Sequence, residues 1–243
     1  MPEKERKFSE VQFLVHPLFE DESPEDPLPG GYERHARELF KLYSSKITAL
    51  AKENSLLVIV LPPGSRVLNR YPLFPLINLA KDKLGLERVM VLSHVDSQLS
   101  DLRDKVSSEA RLVFFGEHRM RCVHGEALRF AHELGVAPED LSKRVTFNFR
   151  YSPYQKRPVE LNFLERLREM PADERKRFIS AERELQKMEL KLFSLHFLEY
   201  QKLRNSGQRH ELALRASGRE IAKKEPTLSK FLESILEERE RKE

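Results

Sequence analysis

The sequence predicts an α/β fold, a Rossmann-like three-layer sandwich with a mainly parallel sheet of about five strands, plus a C-terminal all-helical extension. Three observations point there. Short runs of Val, Ile, Leu and Phe recur through residues 1–150. Stretches with helical apolar spacing separate them. Strand signals stop near residue 158, whereas helical ones continue. Nearly continuous apolar strands suit a parallel sheet covered on both faces by crossover helices, and strand–helix alternation favours right-handed crossovers.

The elements follow in order. VQFLVH (11–16) reads as the first strand, and the acidic, Pro/Gly-rich DESPEDPLPGG (21–31) as a surface loop at the sheet's carboxyl edge. Ala36, Leu39, Phe40, Tyr43, Ile47 and Leu50 make one apolar stripe, so residues 32–53 should be helical. LLVIVL (56–61), RVMVLSH (88–94), RLVFF (111–115) and VTFNF (145–149) supply four more strands, with shorter helices at 72–85 and 97–107 between them. Val123, Ala127, Phe130, Ala131 and Leu134 share a face of a helix over 121–135, and Gly135 is placed to stop it.

A domain boundary is expected at 157/158. Beyond it, Leu161, Phe163, Leu164 and Leu167 suggest a short helix before Pro171. Phe178, Ala181, Leu185, Met188, Leu192 and Leu195 then form one stripe, joined later by Leu190, Phe193, Phe197 and Tyr200. One stripe early and two late predict a helix that projects at its start and is enclosed near its end. Asn205-Ser206-Gly207 closes it. Leu212 and Leu214, and then Leu228, Phe231, Leu232, Ile235 and Leu236, mark two further helices.

At 243 residues, 40% hydrophobic and 34% charged, the chain can bury a sizeable core beneath a charge-rich surface. No apolar run is long enough to span a bilayer, and VQFLV is too short for a signal-peptide core. The lone Cys122 excludes an intramolecular disulfide and CxxC metal spacing, so the expected compartment is the cytoplasm. Residues 1–150 carry 22 basic and 22 acidic side chains, and residues 151–243 carry 21 and 17. The positive excess of +4 therefore lies entirely in the last third, where the signs interleave as on a solvated helical face.

Open parallel sheets bind ligands outside the carboxyl ends of their strands. The polar residues expected there are His16, His94 with Asp96, Glu117 with His118, and Arg150. His16 and His118 are candidate bases, because histidine titrates near neutrality. In GEHRMRCVHGEAL (116–128), Cys122 stands at a helix start just after Arg119 and Arg121, an environment that favours thiolate. At about 100° per residue it points away from the apolar face, in line with Glu126, Arg129 and Glu133. The same turn, with its unpaired backbone N–H groups and two arginines, suits a small anionic ligand, although no GxGxxG or P-loop pattern is present. A metal at His16, His94, Asp96 and His118 has no supporting HxxxH or HExxH spacing, and no cofactor is indicated.

The segment VFFGEHRMRCVHGEAL resembles the nucleophile segment of isochorismatase-like cysteine hydrolases. The resemblance covers about residues 10–150 and implies their fold, with Cys122 at the nucleophile position. His16 stands where the family places a catalytic Asp, and Lys81, Lys83 and Lys105 do not match its catalytic Lys. The family's amide or vinyl-ether hydrolysis is therefore not implied. Three functions stay open: a hydrolase or transferase with Cys122, His16 and His118 catalytic; a non-catalytic ligand-binding domain using His94, Asp96, Glu117, Arg119, Arg121 and Arg150; or an interaction protein that self-associates or binds a partner through helices 171–240. Nucleic-acid binding is a weaker variant of the third, since Lys and Arg in DERKRF, QKLRNSGQR and REIAKK alternate with Glu outside any recognition motif.

Overall fold

The computed structural model describes residues 7–17, 32–61, 73–92, 99–117, 122–148, 151–152 and 171–225. Five parallel strands form one sheet: β1 (Phe8–Val15), β2 (Leu56–Val60), β3 (Val89–Leu92), β4 (Val106–Gly116) and β5 (Val145–Phe147), in the order β3-β2-β1-β4-β5. The chain steps outward from β1 to β3, then returns to place β4 on the other side of β1. That reversal makes the β1/β4 junction a topological switch point, where adjacent crossovers leave on opposite faces and open a crevice.

Two apolar clusters confirm the three layers. On one face, Ala36, Leu39, Tyr43, Ile47 and Leu50 of α1 (Tyr32–Leu50) and Leu73, Leu76, Ile77, Ala80 and Leu84 of α2 (Leu73–Leu84) cover Leu14, Leu57, Ile59 and Phe115. The expected α1 stripe is thus the buried one, with Phe40 only partly covered. On the other face, α3 (Leu99–Lys105), α4 (His124–Glu133) and the one-turn α5 (Leu141–Arg144) pack on Val11, Phe13, Val15, Val58, Leu112 and Phe114. Phe13 lies 4.6 Å from both Phe114 and Phe130, ring centroid to centroid, and joins the sheet centre to α4.

The long helix α6 (Ala172–Asn205) behaves as its stripes require. Its described side chains up to Met188 are exposed or half-buried, whereas Leu192, Phe193, Phe197 and Tyr200 enter the α4-side cluster. The seam differs in detail from the expected stripes. It runs through Glu189, Leu192, Phe193, His196, Phe197 and Tyr200, leaving Met188 and Leu190 exposed. A helix against two neighbours buries the strip between its apolar lines, and that strip admits polar residues that find partners. Gly207, at φ +88°, follows the α6 terminus, and α7 (His210–Lys224) returns antiparallel. Ala213, Leu214, Ser217, Gly218 and Ile221 of α7 are buried, while Leu212 is exposed. Small residues allow α7 to approach closely: a Cβ on Gly125 of α4 would lie 3.3 Å from Leu214.

The helical extension therefore shares one core with the sheet. The 157/158 boundary, the 21–31 loop and the helices expected over 158–170 and 228–236 lie outside the described residues. No described helix is long and apolar enough to cross a membrane.

Candidate functional site

The switch point is built by a close contact between two strand ends. Val15 pairs with Gly116, and the Glu117 N–H donates to the Val15 carbonyl at 3.2 Å. Gly116 has φ +138°, and a Cβ there would collide with the Val15 backbone, so only glycine permits this approach. On the other side, the His16 N–H donates to the Val60 carbonyl at 2.8 Å.

His16 is the one described non-glycine residue with positive φ, at +46°. Strand alternation would send the side chain after Val15 toward α1. The left-handed backbone turns it instead toward α4, where its Nε2 lies 3.7 Å from Glu126 Oε1. Glu126 Oε2 in turn lies 3.3 Å from Arg129 Nη1. All three side chains are nearly inaccessible. A buried carboxylate between an imidazole and a guanidinium is retained only where the ionic groups compensate one another's lost hydration. Such a non-glycine αL residue is also locally strained, and strain of this kind concentrates at functional sites.

Glu117 occupies the opposite side of the junction. It is buried, and its charge reaches Tyr43 on α1. Burial first, and the Glu117 carboxylate second, push the Tyr43 hydroxyl well above its ordinary range, so Tyr43 stays protonated. The structure thus brings His16 together with α4 and sets Glu117 against α1. His94, Asp96, His118, Arg119, Arg121 and Arg150 lie outside the described residues.

Cys122 requires a correction. The regular α4 begins at His124, after a turn containing Cys122 and Val123, and Cys122 is half-buried against the α4-side cluster. Its alignment with Glu126 and Arg129 holds as helical geometry, but that line does not face solvent. Every residue from His124 to Ala131 is buried, because the sheet covers one side of α4 while α6 and α7 cover others. The polar line is interior and leads to His16.

Glu126 and Arg129 were legible in the sequence only as neighbours of Cys122. A second buried polar chain was not anticipated. His124 Nε2 lies 3.0 Å from His196 Nδ1, and His196 Nε2 lies 2.8 Å from Ser217 Oγ, which donates to the Ala213 carbonyl at 2.6 Å. With both rings neutral, His124 donates to His196 and His196 donates to Ser217, so the chain is internally satisfied. Burial lowers both imidazoles, His196 to about 4, with the hydrogen bond that its Nε2–H donates to the Leu214 carbonyl opposing the shift; the neighbouring His196 lowers His124 further. The signal for His196 was its i,i+4 spacing from Leu192 and Tyr200. This chain ties α4 to α6 and α7. Among the described residues, no group of three His, Cys, Asp or Glu is placed to hold a metal ion. No family model, curated protein or solved structure matches the chain.

Proposed function

We propose that the chain is a hydrolase or group-transfer enzyme whose site lies at the β1/β4 switch point. The observation that carries this reading is the buried His16–Glu126–Arg129 relay, two of whose members lie on the α4 line that Cys122 begins. His16, whose Nε2 lies 3.7 Å from Glu126 Oε1, takes the Cys122 thiol proton. The thiolate adds to a carbonyl carbon, and the carbonyl electron pair moves onto oxygen. Collapse expels the leaving group, which takes the proton back from His16. Water or another acceptor then releases the acyl group from sulfur. Arg129, with Nη1 3.3 Å from Glu126 Oε2, places a positive charge beside the carboxylate that faces the imidazolium when it forms.

Alkylation of Cys122 by iodoacetamide, followed against pH, tests this. The native protein should show an inflection below the ordinary thiol value of ~8.5, and His16→Gln should move it upward. An inflection at the ordinary value, unchanged by His16→Gln, overturns the catalytic role. The second reading, assembly through the helical extension, is favoured by Met188, Leu190 and Leu198 of α6, each 41% exposed. A monomer at all concentrations by light scattering would remove self-association.

A further inference from the structure

A second concavity lies on the α1 face of the sheet, toward its amino edge. It has a volume of about 760 Å³, within the range of small-metabolite sites. α1 and α2 cover this face as far as Phe115 near the carboxyl end of β4, and Gln186 of α6 borders the groove at its amino end. The floor follows from register: Gln12 pairs with Val113, and Val113 with Thr146, so three adjacent strands present one row of side chains. The next row is Glu10 beside Arg111, joined by an ion pair.

Three polar groups here are held without matching partners among the described residues. Gln12 is 2% exposed, and its Nε2 donates to Glu10 Oε1 at 2.6 Å, yet its Oε1 accepts no hydrogen bond. Ser55, equally buried, has an unpartnered Oγ. Lys46 reaches over from α1, 7% exposed, with its ammonium 5.9 Å from the Phe115 ring centroid and 6.0 Å from that of Tyr151. No described carboxylate lies within ion-pair distance of it. Burial lowers its pKa, and the more distant Glu53 and Glu10 only partly offset that. A buried cation beside two aromatic rings and two buried acceptors, with Lys46, Gln12 and Ser55 lining one groove, are complementary to an anion that carries donors.

We propose that this groove binds a small carboxylate-bearing molecule that also carries O–H or N–H donors, of the α-hydroxy acid or α-amino acid class. The carboxylate meets Lys46, and the donors meet Gln12 Oε1 and Ser55 Oγ. A phosphate is disfavoured because Arg111 is already held by Glu10, and Glu10 and Glu53 oppose a second negative charge. The site is separate from the switch point: it uses the opposite face and the opposite half of β1.

The test is an amide-resolved NMR titration of the full chain with glycerate, L-serine, L-glutamate, acetate and inorganic phosphate. Saturable shifts at Gln12, Ser55 and Asn148 with glycerate or an amino acid are expected, with acetate weaker for want of donors. Preference for glycerate identifies a hydroxy acid, and preference for serine or glutamate an amino acid. Lys46→Met should weaken binding by about tenfold or more, as loss of a charged hydrogen-bond partner does. Gln12→Met provides a second, independently folded variant. No saturable shift with the three donor-bearing acids, binding of phosphate alone, shifts confined to His16 and Cys122, or affinity unchanged in both variants overturns the proposal.

Discussion

Gly116 shows how much a single residue decides at the switch point. Its φ of +138° and its contact with the Val15 backbone leave no room for a side chain. Gly116→Ala should destabilise the protein by about 3 kcal/mol, combining backbone strain with displacement of β1 from β4. A urea midpoint unchanged in that variant would show that the contact is not required. The position is visible in the sequence as a glycine after an apolar strand. Its necessity is not, because the colliding atoms belong to a strand about a hundred residues earlier. The same holds for His16: its place at a strand end was legible, but its turn toward Glu126 depends on a backbone conformation that the residue type does not announce.

At the scale of elements, α4 is the informative helix. Its periodicity marks Val123, Ala127, Phe130 and Ala131 as core, and they are. Periodicity also assigns Cys122, Glu126 and Arg129 to a polar face, and polar faces are ordinarily solvated. Here that face meets β1, and His124 meets His196 of α6. The histidine pair makes the packing of α4 on α6 sensitive to acid. Both folded values lie below the ordinary 6.5, so the unfolded chain binds protons first as pH falls. The stabilisation is complete above pH 6.5 and is lost as pH drops toward about 4, with His196 contributing up to about 3 kcal/mol. Urea midpoints across that window should fall steeply for the native protein and less steeply for His196→Gln. Equal slopes would mean that the pair does not govern acid sensitivity.

Across the whole molecule, the helical extension and the sheet share a core. Phe193, Phe197 and Tyr200 of α6, with Ala213 and Leu214 of α7, belong to the same cluster as Phe13 and Phe114. Removing residues 171–243 should therefore leave α4 uncovered and abolish cooperative unfolding, since truncating even one buried aromatic typically costs about 3–5 kcal/mol. A shortened chain that stays monomeric with an unchanged melting temperature would refute this. By itself the sequence determined the α/β class, the parallel strands, the main helices and the projection of early α6, because apolar periodicity is a local property that burial must obey. Only the tertiary structure decided the strand order, the enclosure of α4, the His16–Glu126–Arg129 relay and the groove beneath Lys46. Each of these depends on which distant segments meet, and polar residues reveal a buried role only once their partners are in place.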